Sequence, residues 1–266
     1  MSDVSVFRNS LVEPFVIQEA LMLLANNWNK PIVYGWVHPK ALLLGARDLS
    51  LASSYLGIEH ARVQGFWVAV RPFGGLAVPV DEGVLNITLI LPGELPLDAC
   101  FAQLTNLLVH ACKPYGDIAV GEVSGSYCPG RYDLSVHGVK VAGVAQRRLA
   151  HVSAVSAFVN VSEAGVDRES VIQGYYERSI RDEVRGHSFI PKLKAGSVGN
   201  LTDASPYNAS SEVERLYQAI LESTSNLYPL TISSPLDVSS YIEAARERLI
   251  RKNPMQEWAP IHVSDN

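Results

Sequence analysis

The sequence predicts an α/β protein with a helical C-terminal third. Segments with apolar residues at helical spacing alternate with short β-branched runs as far as about Val161. Three brief strand-like stretches crowd together between Asp117 and Arg148. From about Asp167 onward the pattern turns to amphipathic helices joined by loops rich in Ser, Asn, Gly and Pro.

In "EPFVIQEALMLLANNWNK", Phe15, Ile17, Ala20, Leu21, Leu23 and Leu24 recur at helical period, and the helix is expected to end near Lys30-Pro31. "IVYGWV" reads as a strand and "KALLLGARD" as a second, broken at Gly45. "LSLASSYLGIEHARVQG" predicts a helix, and "FWVAVR" a strand running into the Gly74-Gly75 turn. "GVLNITLIL" alternates like a half-buried strand, with Asn86 and Thr88 on one face, and Pro92-Gly93 breaks it. The next helix, "LPLDACFAQLTNLLVHACKPYG", carries Leu97, Phe101, Leu104, Leu108 and Ala111 on one stripe. "DIAVGEV", "YDLSV" and "VKVAGVAQRR" are strands, with His137-Gly138 a tight hairpin between the last two. "HVSAVSAFVNV" alternates again. "RESVIQGYYERSIRDEV", "SSEVERLYQAILES" and "LDVSSYIEAARERLIRK" are the closing helices. The organisation expected is one domain over 1–266, with a sheet core at about 14–165 and a helical extension at about 166–266.

The chain has 266 residues, 47% of them hydrophobic, enough to bury a substantial core. Its 22 basic and 27 acidic side chains give a net charge of −5, without a dense basic run, so nucleic acid is not an expected partner. "MSDVSVFRNS" lacks the features of a signal peptide, and no apolar run approaches the roughly 20 residues that span a bilayer, so no membrane partner is expected either. Three cysteines without a CxxC suggest neither a disulfide framework nor a zinc knuckle, and reduced thiols in a soluble cytoplasmic protein are the expectation. The seven histidines show no metal-type i,i+4 pair and read as surface or turn residues; no metal site is expected.

Three stretches could carry chemistry. Cys128 in "GSYCPGRYD" has the setting of a loop thiol, open to two readings: a nucleophile, if a cation stands nearby, or a turn cysteine without a role. Cys100 and Cys112 fall inside a helical pattern, where cysteine behaves as a small hydrophobe. Lys140 in "VHGVKVAGVAQ" is either an edge-strand lysine that snorkels into water or a positioned ammonium; spacing does not decide between them. Gly74-Gly75 permits close backbone approach to a ligand but fits neither the P-loop nor G-x-G-x-x-G, and by itself reads as a turn. "GARDLS" and "QRRLAH" read as solvated charge, Arg147-Arg148 being candidates to meet an acidic partner.

Taken together these stretches resemble one family. "RPFGGLAVPVDEGVLNITLIL" resembles the R-x-S-G-G-G-A-V-x-H-D-x-G-x-L-N signature of lipoate–protein ligases and octanoyltransferases, and "YDLSVHGVKVAGVAQRR" resembles their D-L-x-V-x-G-x-K-I-x-G-x-A-Q-R-R signature. The two motifs stand in the right order within roughly Pro14 to Val161. Within the family, Cys-Pro-Gly-Arg-Tyr-Asp-Leu-Ser, with "GGLAV" and "DEGVLN", is similar to the transferases that move octanoate from glycine cleavage H protein to other proteins.

That resemblance implies a mixed, largely antiparallel sheet flanked by helices, as in biotin and lipoate protein ligases. It implies Cys128 as acyl-thioester nucleophile and Lys140 as the lysine that favours the thiolate and shuttles protons. Arg71, Gly74, Gly75, Leu76, Ala77, Gly143 and Ala145 would line or support a narrow acyl slot. The implied donor is octanoylated H protein and the implied acceptor an E2 lipoyl domain of a 2-oxoacid dehydrogenase, with no cofactor. The chain departs from the ligase pattern at Val70-Arg71, which replaces paired arginines, at Leu76, which replaces the third glycine, at Phe73 for serine and at Val80 for histidine. Fewer cationic and backbone donors then remain for a triphosphate. An ATP-dependent lipoate–protein ligase and a non-catalytic lipoyl-domain binding protein are the alternatives.

Overall fold

Long apolar strands with helices on both sides need two buried faces, and the chain supplies them. The computed structural model describes residues 3–181, 188–202, 209–227, 232–233, 237–252 and 257–258. In chain order the elements are β1 (Ser5–Val6), α1 (Glu13–Trp28), β2 (Ile32–Val37), β3 (Ala41–Leu44), α2 (Ser54–Val63), β4 (Trp67–Val70), β5 (Val78–Val80), β6 (Val84–Pro92) and α3 (Leu97–Ala111). There follow β7 (Ile118–Val120), β8 (Leu134–Val136), β9 (Val139–Leu149), β10 (Val152–Asn160), α4 (Arg168–Ser179), α5 (Ala209–Leu227), β11 (Ile232–Ser233), α6 (Ser239–Lys252) and β12 (Glu257–Trp258).

An eight-stranded sheet runs β1-β2-β6-β10-β9-β8-β7, with β11 also on β2, and a four-stranded sheet runs β12-β4-β3-β5. Only β1–β2, β11–β2 and β3–β4 pair in parallel among the described strands. The expected mixed, largely antiparallel sheet is therefore present. One face of the large sheet packs on α1 and the small sheet, with α6 against α1; the other packs on α3 and α5. The closing helices are thus part of the cover of the sheet. The ends of two predicted helices, 182–184 and Leu236, and two of the histidines, His187 and His262, lie outside the described residues.

The differences from the sequence pattern have local causes. Strand β10 alternates in sequence, yet all nine of its residues are buried, because both faces of the sheet are covered. β5 arises within the stretch read as a turn, pairing with β3. In α3 the buried face is Cys100, Leu104, Leu107, Leu108 and Ala111, while Leu97 is half-exposed and Phe101 stacks on Tyr132 with ring centroids 4.5 Å apart. His137 and Gly138 both have positive φ, at 51° and 80°, as a two-residue hairpin turn requires. His38 is fully buried, its Nε2 accepting a hydrogen bond from Trp36 Nε1–H at 2.9 Å, and burial pushes it down to about 3, so it is neutral.

Buried ion pairs tie the layers together. Glu19 on α1 accepts from Arg147 Nε at 2.7 Å and from Arg248 Nε at 3.2 Å, joining α1, β9 and α6. Arg147 also donates to Pro72 O and is committed inside the protein, whereas the exposed Arg148 donates to Leu95 O. Arg168, which opens α4, grips Asp81 with two bonds of 2.6 Å. Removing one partner of such a pair leaves a charge buried alone, so Glu19→Ala should lower unfolding stability by about 3–5 kcal/mol. Glu82→Ala, which breaks the exposed Arg8–Glu82 pair, should cost about 1 kcal/mol or less. Urea unfolding of the two variants checks the contrast.

Candidate active site

The turn between β7 and β8 carries Cys128 in a left-handed conformation, φ 44°, unusual for a residue with a Cβ. Two side chains hold it there. Lys140, fully buried on β9, donates from Nζ to Cys128 O at 2.8 Å, to Tyr127 O at 2.9 Å and to Asp133 Oδ2 at 2.7 Å. Asp133 in turn accepts from Gly130 N–H at 2.8 Å and so closes the same turn. The three acceptors account for all three ammonium protons. Burial raises the Asp133 carboxyl while the Lys140 charge opposes that rise.

A register shift between β8 and β9 directs the lysine. Leu134 pairs with Ala142 but Ser135 with Lys140, so Val141 is the extra residue of a bulge. Val141 and Ala142 both pack into the α3 side of the core, which leaves Lys140 and Gly143 on the other side, against Phe158. The snorkelling alternative therefore fails: the lysine is enclosed.

The sulfur faces a second turn, Gly74–Ala77. Leu76 N–H donates to Cys128 Sγ at 3.1 Å, and Arg71 Nη2 lies 3.4 Å from the same atom while also donating to Leu76 O at 2.8 Å. Gly75 has φ 96°, and a Cβ there would lie 2.6 Å from Arg71 Nη2 and 2.8 Å from the sulfur, so only glycine fits. Both neighbours of the sulfur are donors, an arrangement suited to negative charge on it. The family resemblance puts Lys140 beside the thiolate; in the structure the cation on the sulfur is Arg71, and Lys140 reaches the Cys128 carbonyl instead. Cys100 and Cys112 are buried, and burial pushes Cys112 up to about 12, so neither resembles Cys128.

Beside the sulfur opens a cavity of about 360 Å³, a size suited to a small ligand. Phe15, Trp36, Phe73 and Phe158 give it an apolar wall, and Leu97 and Phe101 border it from α3. Of the residues singled out by sequence, Arg71, Gly74, Gly75, Cys128, Gly143 and Ala145 line it. Leu76 contributes its backbone donor, and Ala77 lies behind the turn, its N–H bonded to Asp48. Asp133 and Asp48 escaped the sequence reading. The Asp-Leu of the second motif pointed to the first, whereas Asp48, taken there for solvated charge, is fully buried.

A cysteine facing two donors at the mouth of an apolar cavity is an arrangement suited to acyl transfer. The chain belongs to the lipoyl protein ligase A/B catalytic domain family, which matches residues 11–225. It is 34% identical over 227 residues to the octanoyl-[GcvH]:protein N-octanoyltransferase of Anoxybacillus flavithermus, covering 83% of this chain and 82% of the relative. It is 33% identical to the lipoyl-[GcvH]:protein N-lipoyltransferase of Listeria monocytogenes over 83% of this chain and 81% of that protein. Lipoate-protein ligase A bound with ATP shares the fold, with TM-score 0.69 at 16% identity, covering 94% of this chain and 93% of its own.

Lys140→Met would strand the Asp133 carboxylate, and should reduce unfolding stability by about 3–5 kcal/mol near neutral pH. The Asp133 carboxyl is already raised by burial and would rise further without the lysine. The deficit should therefore be largest at neutral pH and shrink as acid protonates Asp133. Adding Asp133→Asn should recover part of the loss. Denaturant titrations at several pH values measure both effects.

Proposed function

We propose that this protein is an octanoyltransferase that works through a thioester on Cys128, taking the octanoyl group from glycine cleavage H protein and passing it to the lysine of an E2 lipoyl domain. The observation that carries this reading is the approach of two donors, Leu76 N–H and Arg71, to the sulfur of a cysteine that lines an apolar cavity. The names of the relatives supply the substrate class.

In the first step the Cys128 thiolate attacks the amide carbonyl of octanoyl-lysine. The C–N bond breaks, and the donor lysine leaves as an amine after gaining a proton from water, to which the acceptor amine returns one in the second step. In the second step the acceptor amine attacks the thioester, the C–S bond breaks, the thiolate returns and the amine gives up a proton. Over the cycle protons and electrons balance, one amide replaces another, and no phosphate energy is consumed. The Leu76 amide and the Arg71 guanidinium, which stand beside the sulfur, are the donors this reading assigns to each tetrahedral oxyanion. Lys140 serves by holding the turn, because its protons are committed to Asp133 and two carbonyls.

The octanoyl chain occupies the apolar cavity, with Gly143 and Ala145 leaving room along β9. Gln146, whose amide atoms are buried and without a hydrogen-bond partner among the described residues, lines the same cavity and can meet the amide of the incoming acyl-lysine. The carrier protein approaches over half-exposed Leu97 and the Phe101–Tyr132 stack, beside exposed Arg131. A nucleophilic thiol must stay reduced, which suits the cytoplasm. The reading takes 1–266 as one catalytic domain, supported by the links from α6 to Glu13 and Glu19 on α1.

The ligase alternative deserves a direct test because an ATP-bound ligase shares the fold. Against it, Arg71 is already engaged by Leu76 O and the sulfur, and Phe73 packs on Phe15 inside the cavity wall. Transfer from octanoyl-H protein to a lipoyl domain, followed by mass spectrometry of the acceptor, should run at the same rate with ATP and magnesium removed. Cys128→Ser should reduce it by at least about 10³-fold, because a serine hydroxyl here has no activating base among the described residues, whereas Cys100→Ser should retain transfer. An absolute need for ATP would return the assignment to the ligases. Rapid transfer by Cys128→Ser would remove the thioester.

A further inference from the structure

The turn that presents a donor to Cys128 is itself held from behind. Asp48 opens the short turn Asp48–Ser50 after β3 and is fully buried. Its Oδ2 accepts from Gly45 N–H at 2.7 Å, its Oδ1 accepts from the Tyr176 hydroxyl at 2.8 Å, and Ala77 N–H also donates to the carboxylate. Gly45 lies directly against the other side of the same loop: a Cβ there would come within 2.0 Å of Gly75 O. The adjoining strand end is bound too, with Arg71 N–H donating to Leu44 O at 2.9 Å. One carboxylate thus joins β3, α4 and the Gly74–Ala77 turn.

We propose that Asp48 is a positioning residue for acyl transfer: its carboxylate fixes the Gly74–Ala77 turn and the neighbouring Arg71 so that the Leu76 amide and the guanidinium both meet the Cys128 sulfur. The proposal rests on the reading of Cys128 as the nucleophile. A carboxylate is needed because the groups that converge on it, two backbone N–H and one phenol, are donors, and both its oxygens accept. An asparagine would turn an NH₂ toward one of them. Glutamate is too long for a site closed by Gly45 on one side and by Tyr176 on the other.

This device has a pH dependence whose direction follows from its surroundings. Burial pushes Asp48 up to about 6, against the opposing pull of the Tyr176, Gly45 and Ala77 hydrogen bonds and of the Arg71 charge. Among the described residues, the titratable or charged groups that face it are Arg71 from the end of β4 and Tyr175 and Tyr176 from α4; burial raises both phenols, so they remain neutral. Because its folded value lies above the unfolded one, Asp48 favours the folded state in acid, and that contribution is lost as pH rises through about 6. Catalysis runs the other way. Below about 6 the protonated carboxyl holds the turn less well, so acylation should fall in acid although this group does not weaken the fold there.

The test compares wild type, Asp48→Asn and Tyr176→Phe as full chains, with octanoyl-H protein as donor and circular dichroism as the check of folding. Asp48→Asn should lower the kcat of acylation by about 10²-fold, the effect of a misplaced reacting group, with the donor KM little changed. The acid limb near pH 6 should be present in wild type and missing from Asp48→Asn. Tyr176→Phe removes one of the bonds that favour the carboxylate, so its limb should move to higher pH; this variant decides the matter if Asp48→Asn does not fold. A wild-type kcat in Asp48→Asn with its acid limb intact, or an unmoved limb in Tyr176→Phe, overturns the proposal. Lack of any acyl group on wild-type Cys128 would instead overturn the reading of the nucleophile on which it rests.

Discussion

A buried ammonium is the constraint on which the site depends. Taking Lys140 out of water costs several kcal/mol, and the cost is offset only because three acceptors surround Nζ at 2.7 to 2.9 Å. Two of those acceptors are carbonyls of the cysteine turn, and the third, Asp133, also binds the amide of Gly130. The ammonium therefore stabilises a backbone shape that the chain would otherwise avoid. A non-glycine residue in the left-handed region costs roughly 1–2 kcal/mol, and Cys128 occupies that region at φ 44°. The lysine holds the turn, and the turn presents the thiol.

Two cations then divide the work that the family resemblance assigns to a single lysine. Lys140 acts on the carbonyl side of Cys128, whereas Arg71 lies on the sulfur side with the Leu76 amide. The separation follows from the folding of the two motifs. The bulge at Val141 sends Lys140 under the cysteine turn, and the glycine at position 75 lets a guanidinium and a sulfur crowd against one backbone. Between them lies the mouth of an apolar cavity built from α1, both sheets and α3. A thiol at the rim of an apolar cavity of this size suits the transfer between protein lysines proposed above.

Much of this was legible in the sequence, and the pattern of what was not is physical. Local signals located α1, β2 through β4, β6 and the His137-Gly138 hairpin, because period and turn chemistry are properties of neighbouring residues. The stripe of α3 was read one position off at its start, since Leu97 and Phe101 border a cavity rather than fill the core. Asp48 and Arg147 looked like solvated charge because their partners, Tyr176 and Glu19, are distant in the chain. Lys140 looked free to snorkel for the same reason: its enclosure depends on a bulge that no run of residues announces. The family motifs identified Cys128, Arg71 and the glycines as a set, and the geometry then assigned each its neighbour.

The central claim is that Cys128, held by Lys140 and faced by Arg71, becomes acylated. Intact mass measured after brief incubation of the protein with octanoyl-H protein, without an acceptor, addresses it most directly. The account predicts a single added octanoyl group that hydroxylamine removes and that peptide mapping localises to Cys128. An unmodified chain that still transfers octanoate, or an adduct carried by another residue, would contradict it.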